Sequence, residues 1–345
     1  MELDVNRLRR RSPGARVLVQ LDQSTLSELA LGDAHAATRE LLVAGVQAGK
    51  LVCPQSLGAT DETLDLPELW QTISDLHEEL SMGIEFLDPK TIRQREVFAA
   101  AAAFCGQEPL YTIAEEAFDI DPQTPRDQLF AGGIRVIARF GPMDVRTEEV
   151  AREKAKETGL QPAYDQARAL GRSFEEQAAE EMDAMVRWVL GPLADPGFEA
   201  ELARKRLAAT RALEVGDYRP ISKLTAVGER KAFAEALVEN FTELSTRAQE
   251  FAKSDQLTDM PALRYPALLR AGLATMPRRV ARRGDGYDID HLTSGLSRCD
   301  IVTADAGMWQ LVHNHKLLPA ACQLFPTRDM AGLHRAVDAS LSSAR

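Results

Sequence analysis

The sequence predicts a three-layer α/β/α fold, with a mostly parallel sheet built from both ends of the chain and a large helical insertion between them. Three observations predict it. Short β-branched and leucine-rich runs alternate with helical patterns over residues 16–105. The same alternation returns over residues 277–345. Between them, residues 106–276 are rich in Ala, Glu, Arg and Leu at helical spacing. Parallel strands need crossover connections, and the alternating helices supply them.

The elements follow in order. Arg16-Val-Leu-Val-Gln-Leu-Asp22 is a strand that ends in a carboxylate. Gln23-Ser-Thr opens a helix through Leu26, Leu29 and Ala30. A second helix, about 34–48, carries Leu41, Leu42 and Val46 on one face and ends at Gly49. Leu51-Val-Cys-Pro54 is the second strand, and Ser56 is an N-cap or loop residue after it. A helix near 67–82 leads to a third strand at 83–87. In the middle section, helices are expected at 148–158, 161–190, 199–213 and 229–253, punctuated by Pro122, Pro125, Pro192, Pro196 and Pro220. The tail reads as helix 288–298, strand 299–305, helix 306–313, strand 322–325 and helix 329–343. No repeat and no low-complexity tail interrupts this order.

Composition narrows the function. With 345 residues, 45% hydrophobic and 27% charged, the chain can bury a sizeable core. No apolar run approaches the roughly 20 residues that span a bilayer. The apolar stretch after the basic start is only a strand's length, which argues against a signal peptide. Cys53, Cys105, Cys299 and Cys322 form no CxxC pair. They are expected to be reduced thiols in a cytoplasmic protein, with no zinc site. A net charge of -11 argues against broad, nonspecific coating of nucleic acid, yet it suits an acidic metal site. Two local basic patches stand against it: Arg7, Arg9, Arg10 and Arg11, and then Arg278, Arg279, Arg282 and Arg283. A solvated charged surface explains either patch equally well.

Chemistry is expected where strands end. In open parallel sheets, ligand sites form at the carboxyl ends of the strands. Asp22 and Asp305 both occupy such ends, so they can converge although they lie far apart in the chain. Asp288 falls near a helix start, one helix and one strand before Asp305, on the same edge. Taken singly, each aspartate is explained by a turn or by N-capping. Asp290 competes with Asp288, and helical dipole neutralisation explains either one.

Four segments resemble the PIN-like nucleases: Val-Leu-Val-Gln-Leu-Asp22-Gln-Ser24, Cys-Pro-Gln-Ser56-Leu-Gly-Ala-Thr-Asp-Glu62-Thr, Asp288-Ile-Asp-His291-Leu and Ile-Val-Thr303-Ala-Asp305. The resemblance covers roughly residues 16–100 and 280–335 and does not extend to the middle section. It implies an acidic set, Asp22, Glu62, Asp288 and Asp305, that binds divalent metal for phosphodiester hydrolysis. Many relatives of this kind carry a His midway between the Ser and the Glu, where this chain has Ala59. The family also implies RNA rather than DNA as the substrate.

Mg²⁺ or Mn²⁺ is the expected cofactor, because both prefer hard oxygen ligands. Asp22 and Asp305 are the main candidate ligands, and Glu62 and Asp288 are direct or water-mediated ones. Ser24 and Thr303 could orient them, although a local turn hydrogen bond is the simpler role for Ser24. Packing explains His291 better than catalysis does. His313 and His315 fall on opposite helix faces, which is poor for joint metal binding. Asp300 is strand-edge structure or an outer acid, Glu96 belongs to a solvated helix face, and the Glu-rich run from Phe174 is a charged helix surface. The four arginines from Arg278 to Arg283 are candidate phosphate contacts.

Motifs for other chemistries are missing. There is no GxxxxGK[ST], no GxGxxG after a strand, no HExxH and no GxSxG. The competing expectation is a catalytically inactive PIN-like binding or regulatory module. Its helical section would then contact another protein or a second copy. A third is a metal-dependent phosphohydrolase for small phosphates, which the basic approach disfavours.

Overall fold

The computed structural model describes residues 16–56, 70–111, 117–119, 160–194, 197–214, 219–282 and 284–343. The first α/β stretch contains β1 (Val17–Gln20), α1 (Gln23–Leu31), a 3-10 turn (Asp33–His35), α2 (Ala36–Gln47), β2 (Leu51–Val52), α3 (Trp70–Ser81), β3 (Glu85–Phe86) and α4 (Pro89–Phe104). β4 (Phe118–Asp119) follows. The described middle is helical: residues 160–169 (α5), α6 (Phe174–Ala194), α7 (Phe198–Glu214), α8 (Arg219–Asn240), α9 (Leu244–Ala252), α10 (Asp255–Thr258) and α11 (Pro261–Thr275). The tail adds α12 (Asp285–Arg298), β5 (Ile301–Ala304), α13 (Ala306–Asn314), β6 (Gln323–Pro326) and α14 (Met330–Ser343).

The four-stranded sheet has the order β2-β1-β5-β6, and every pairing in it is parallel. Strands from opposite ends of the chain are therefore neighbours: Val19 lies opposite Ile301 and Gln20 opposite Val302. β3 meets the β2 side of the sheet through a parallel bridge between Gln55 and Glu85, and it pairs antiparallel with β4.

Strand side chains alternate between faces. Val17, Val19 and Leu21 join Leu26, Leu29, Leu42, Val46, Ile73 and Val337 in one core. Leu18, Val302 and Ala304 turn the other way, toward Leu273, Leu292, Leu296 and Leu311. That second core is continuous with Phe98, Tyr164, Val189, Phe241, Phe251 and Leu263. The helical middle thus packs onto one face of the sheet. No helix among the described residues is long and apolar enough to cross a membrane.

Several boundaries differ from expectation. The helix expected over 161–190 breaks before α6. Gly171 sits at φ +61, the left-handed region that ends helices. Ser173 and Glu176 then form a reciprocal cap: the Glu176 N–H donates to Ser173 Oγ at 3.2 Å, and the Ser173 N–H to Glu176 Oε2 at 2.8 Å. Pro192 does not stop α6, which runs on to Ala194. Proline cannot donate to the carbonyl four residues back. Arg230 Nε takes that place, donating to the Trp188 carbonyl at 2.8 Å. The segment expected as 229–253 is two helices, because Phe241 turns into the core between α8 and α9. The expected segment 148–158 lies outside the described residues.

Gly295 is where α12 comes closest to the sheet. A Cβ there would meet Gln20 Oε1 at 2.2 Å and Val302 Cγ2 at 2.9 Å. Overpacking of this kind costs about 3 kcal/mol, and helix propensity returns only about 1. Gly295→Ala is therefore expected to lose about 2 kcal/mol in urea unfolding. Gly228, in α8, has nothing within 4 Å of the same position. Gly228→Ala should gain up to about 1 kcal/mol. Equal effects at the two positions would contradict the close approach of α12.

Candidate active site

Asp22, Asp305 and Thr327 leave three adjacent strands on one edge. Asp22 follows β1, Asp305 follows β5 and Thr327 follows β6. Neighbouring parallel strands lie about 4.8 Å apart, so these residues belong to one small area.

The Asp22 carboxylate is held by four donors. Oδ1 accepts from the Thr25 N–H at 3.0 Å and from Thr303 Oγ1 at 2.9 Å. Oδ2 accepts from Ser24 Oγ at 2.6 Å and from Thr327 Oγ1 at 3.1 Å. Thr303 Oγ1 in turn accepts the Asp22 N–H at 2.8 Å. Thr303 thus ties the ends of β1 and β5 together. Asp305 caps α13, with Oδ1 accepting the Met308 N–H at 2.6 Å. Asp88 caps α4, and Asp329 does the same for α14 through the Gly332 N–H. Helix capping thus accounts for part of the acidity along this edge.

Hard oxygen donors at partly exposed positions suit Mg²⁺ or Mn²⁺. A carboxylate offers about four lone-pair positions, and Asp22 uses them all. Its two oxygens differ in kind, however. Oδ2 is held only by hydroxyls, and each of these has a second acceptor. Ser24 Oγ lies 3.1 Å from Thr327 Oγ1, which lies 3.3 Å from the Ala304 carbonyl. Rotating two O–H bonds opens Oδ2 to a cation and leaves neither donor unpaired. The Asp305 cap uses Oδ1 and leaves Oδ2 out of it. Among the described residues, no three His, Cys, Asp or Glu side chains are already gathered as a metal group. Glu62 lies outside the described residues.

α12 begins at Asp285, three residues before the expected start. Asp285 is fully buried; it pairs with Arg279 and accepts the Arg282 N–H at 3.1 Å and the Tyr164 O–H at 3.3 Å. It shares the first turn of α12 with Asp288. Asp288 stands one turn before His291, on the same helix face. His291 faces the sheet: Nε2 lies 2.9 Å from the Thr303 carbonyl and Nδ1 lies 3.2 Å from Gln20 Nε2. A carbonyl only accepts, so Nε2 carries the proton and Nδ1 accepts from Gln20. Asp290 lies off this face, within electrostatic reach of Arg93. Helix phase therefore favours Asp288 over Asp290 for the strand-end site.

Other expectations change. Arg279 is turned inward to Asp285 and is not an open phosphate contact. Arg278, at φ +61, and Arg282 remain exposed, and Arg283 lies outside the described residues, as do Arg7, Arg9, Arg10 and Arg11. Glu96 is buried, not solvated: it pairs with Arg298 and accepts the Ala262 N–H at 2.8 Å. Asp300 accepts the Leu18 N–H at 2.9 Å, at the start of β5 and away from the site. His315 stacks on Phe174 at 3.9 Å between ring centroids. Thr327 was not singled out from sequence. Its position just after the last strand matches that of Asp22 and Asp305, and that was the available signal.

His77 and His291 are both buried, and burial pushes both imidazoles down, His77 to about 4. His291 adds to the lowering of His77, while a hydrogen bond to Pro54 opposes it. A histidine lowered in the folded state is neutral there while its unfolded form takes up a proton. Stability is therefore whole above about pH 6.5 and falls as pH drops toward about 4. The loss from His77 should be on the order of 3 kcal/mol. Urea midpoints from pH 7.5 to 4.5 should fall more steeply for the native chain than for His77→Gln. Parallel curves would remove His77 as the source.

Comparison of the chain with protein-family models, with curated proteins and with solved structures finds no match.

Proposed function

We propose that this chain is a PIN-like nuclease that hydrolyses the phosphodiester backbone of RNA with Mg²⁺ or Mn²⁺. One observation carries the reading. Asp22 and Asp305, from opposite ends of the chain, close on adjacent strand ends, and Asp22 Oδ2 is held only by rotatable hydroxyls.

When bound, the metal would polarise the phosphate and lower the pKa of the attacking water. Asp22 and Asp305 would hold it, with Asp288 and Glu62 as further ligands. Thr303 fixes Asp22 Oδ1, and Ser24 and Thr327 control access to Oδ2. His291 keeps α12, and with it Asp288, in register with β5. Arg278 and Arg282 are exposed before α12, where they could contact the strand's phosphates without reading its sequence. A cytoplasmic location and reduced cysteines belong to the same reading.

A second reading also has an observation behind it: both strand-end aspartates already serve as helix caps. That would suit a noncatalytic binding module working through the helical section. Incubating the full chain with single-stranded RNA and DNA in Mn²⁺, Mg²⁺ or EDTA separates the two. Cleavage of RNA that needs metal supports the nuclease. Absence of cleavage with both metals supports the binding module.

A further inference from the structure

Arg93 lies on α4 and Arg270 on α11. Among the described residues, the buried Nε of each has no hydrogen-bond partner. Among the described residues, no ion pair or hydrogen bond joins either guanidinium to another residue. Arg93 packs over the Trp188 ring, 5.1 Å from its centroid. The two arginines are within electrostatic reach of each other. Burial pulls the Arg93 guanidinium below its usual range, and Arg270 pulls the same way; Asp290 and Asp88 oppose them. Both residues are half-buried, so two like charges held side by side there are costly unless an anion joins them.

Their place in the fold matters. Glu96, one turn beyond Arg93, meets Arg298 at the far end of α12 and the start of α11 at Ala262. Arg93 lies one turn closer to the Asp88 cap, which follows β3. Arg270 lies about two turns up α11 from Ala262. The pair therefore sits between the buried Glu96–Arg298 ion pair and the acidic strand edge. The acids facing it need no arginine for their own satisfaction: Asp88 is committed to the α4 cap and to Thr91, and Asp290 has a partner of its own.

We propose that Arg93 and Arg270 form a binding site for a phosphate group, held between α4, α11 and α12 beside the acidic edge. Guanidinium forks match a tetrahedral oxyanion, and charge-assisted bonds would satisfy the buried Nε–H groups. The phosphate is either free or the terminal group of a nucleic-acid strand. The site does not depend on the metal chemistry proposed above.

The test is equilibrium binding in EDTA, with inorganic phosphate and with 5′-phosphorylated and unphosphorylated single-stranded oligonucleotides. Arg93→Met and Arg270→Met keep most of the apolar stem and remove the charge. Phosphate affinity should fall about tenfold or more in either variant and stay unchanged in Arg247→Met, which removes an exposed arginine on α9. A preference for the 5′-phosphorylated strand that is lost in Arg270→Met assigns the site to strand ends. Equal binding of both strands assigns it to free phosphate. The proposal is overturned if the native chain binds no phosphate, or if the variants bind it as well as the native chain does. Thermal unfolding gives a second readout. Without phosphate, Arg270→Met should melt no lower than the native chain, and phosphate should raise only the native Tm. A lower Tm for the variant in phosphate-free buffer would mean that the guanidinium is satisfied within the protein, which also overturns the proposal.

Discussion

Replacing Asp305 with asparagine should lower metal-dependent cleavage of RNA more than about a hundredfold while leaving the fold in place. Residues that only orient a metal ligand are worth about 10–100-fold, so removing a charged ligand must exceed that. Asn caps helices as well as Asp does, and the Met308 N–H can still be accepted. Charge and cap are therefore separated in one substitution. Asp22→Asn should reduce the rate as strongly. There the new amide would face Ser24 and Thr327, whose hydroxyl oxygens can accept from it. Single-turnover cleavage of RNA in Mn²⁺ and the melting temperature would be measured together. An intact fold with undiminished cleavage in both variants would remove the acidic edge as the site.

Removing Glu96 should have the largest effect on stability, a loss of about 3–5 kcal/mol for Glu96→Ala. Its partner, Arg298, is 7% exposed, so the charge left behind has no route to water. The Ala262 N–H at the start of α11 loses its acceptor as well. Glu96→Leu combined with Arg298→Met should recover most of that loss, because breaking a buried pair costs far more than replacing both members. Urea unfolding of the three variants measures this directly. A Glu96→Ala loss below about 1 kcal/mol would show that Arg298 finds solvent or another partner.

How much was legible from sequence follows from the range of each interaction. Val-Leu-Val-Gln before Asp22 and Ile-Val-Thr-Ala before Asp305 read as strands, because β-branched runs report local backbone preference. Their common edge followed from strand direction alone. Glu96 was misread as solvated because its identity depends on Arg298 and Ala262, which arrive from distant helices. The break before α6 was legible in principle, since Ser173 and Glu176 carry the spacing of a capping box, but the long amphipathic pattern on either side masked it. Choosing between Asp288 and Asp290 required the phase of α12, which the contacts of His291 with Thr303 and Gln20 set. Arg279 looked like an open phosphate contact because nothing local shows that Asp285 is buried. Thr327 reaches Asp22 only once β6 is in register with β5.

Calorimetric titration of Mn²⁺ into the full chain, beside Asp305→Asn, Asp288→Asn and Asp290→Asn, tests the central claim most directly. Saturable binding should be lost in Asp305→Asn, weakened in Asp288→Asn and unchanged in Asp290→Asn. No binding to the native chain, or equal binding by all four proteins, would contradict a metal site on the edge shared by β1 and β5.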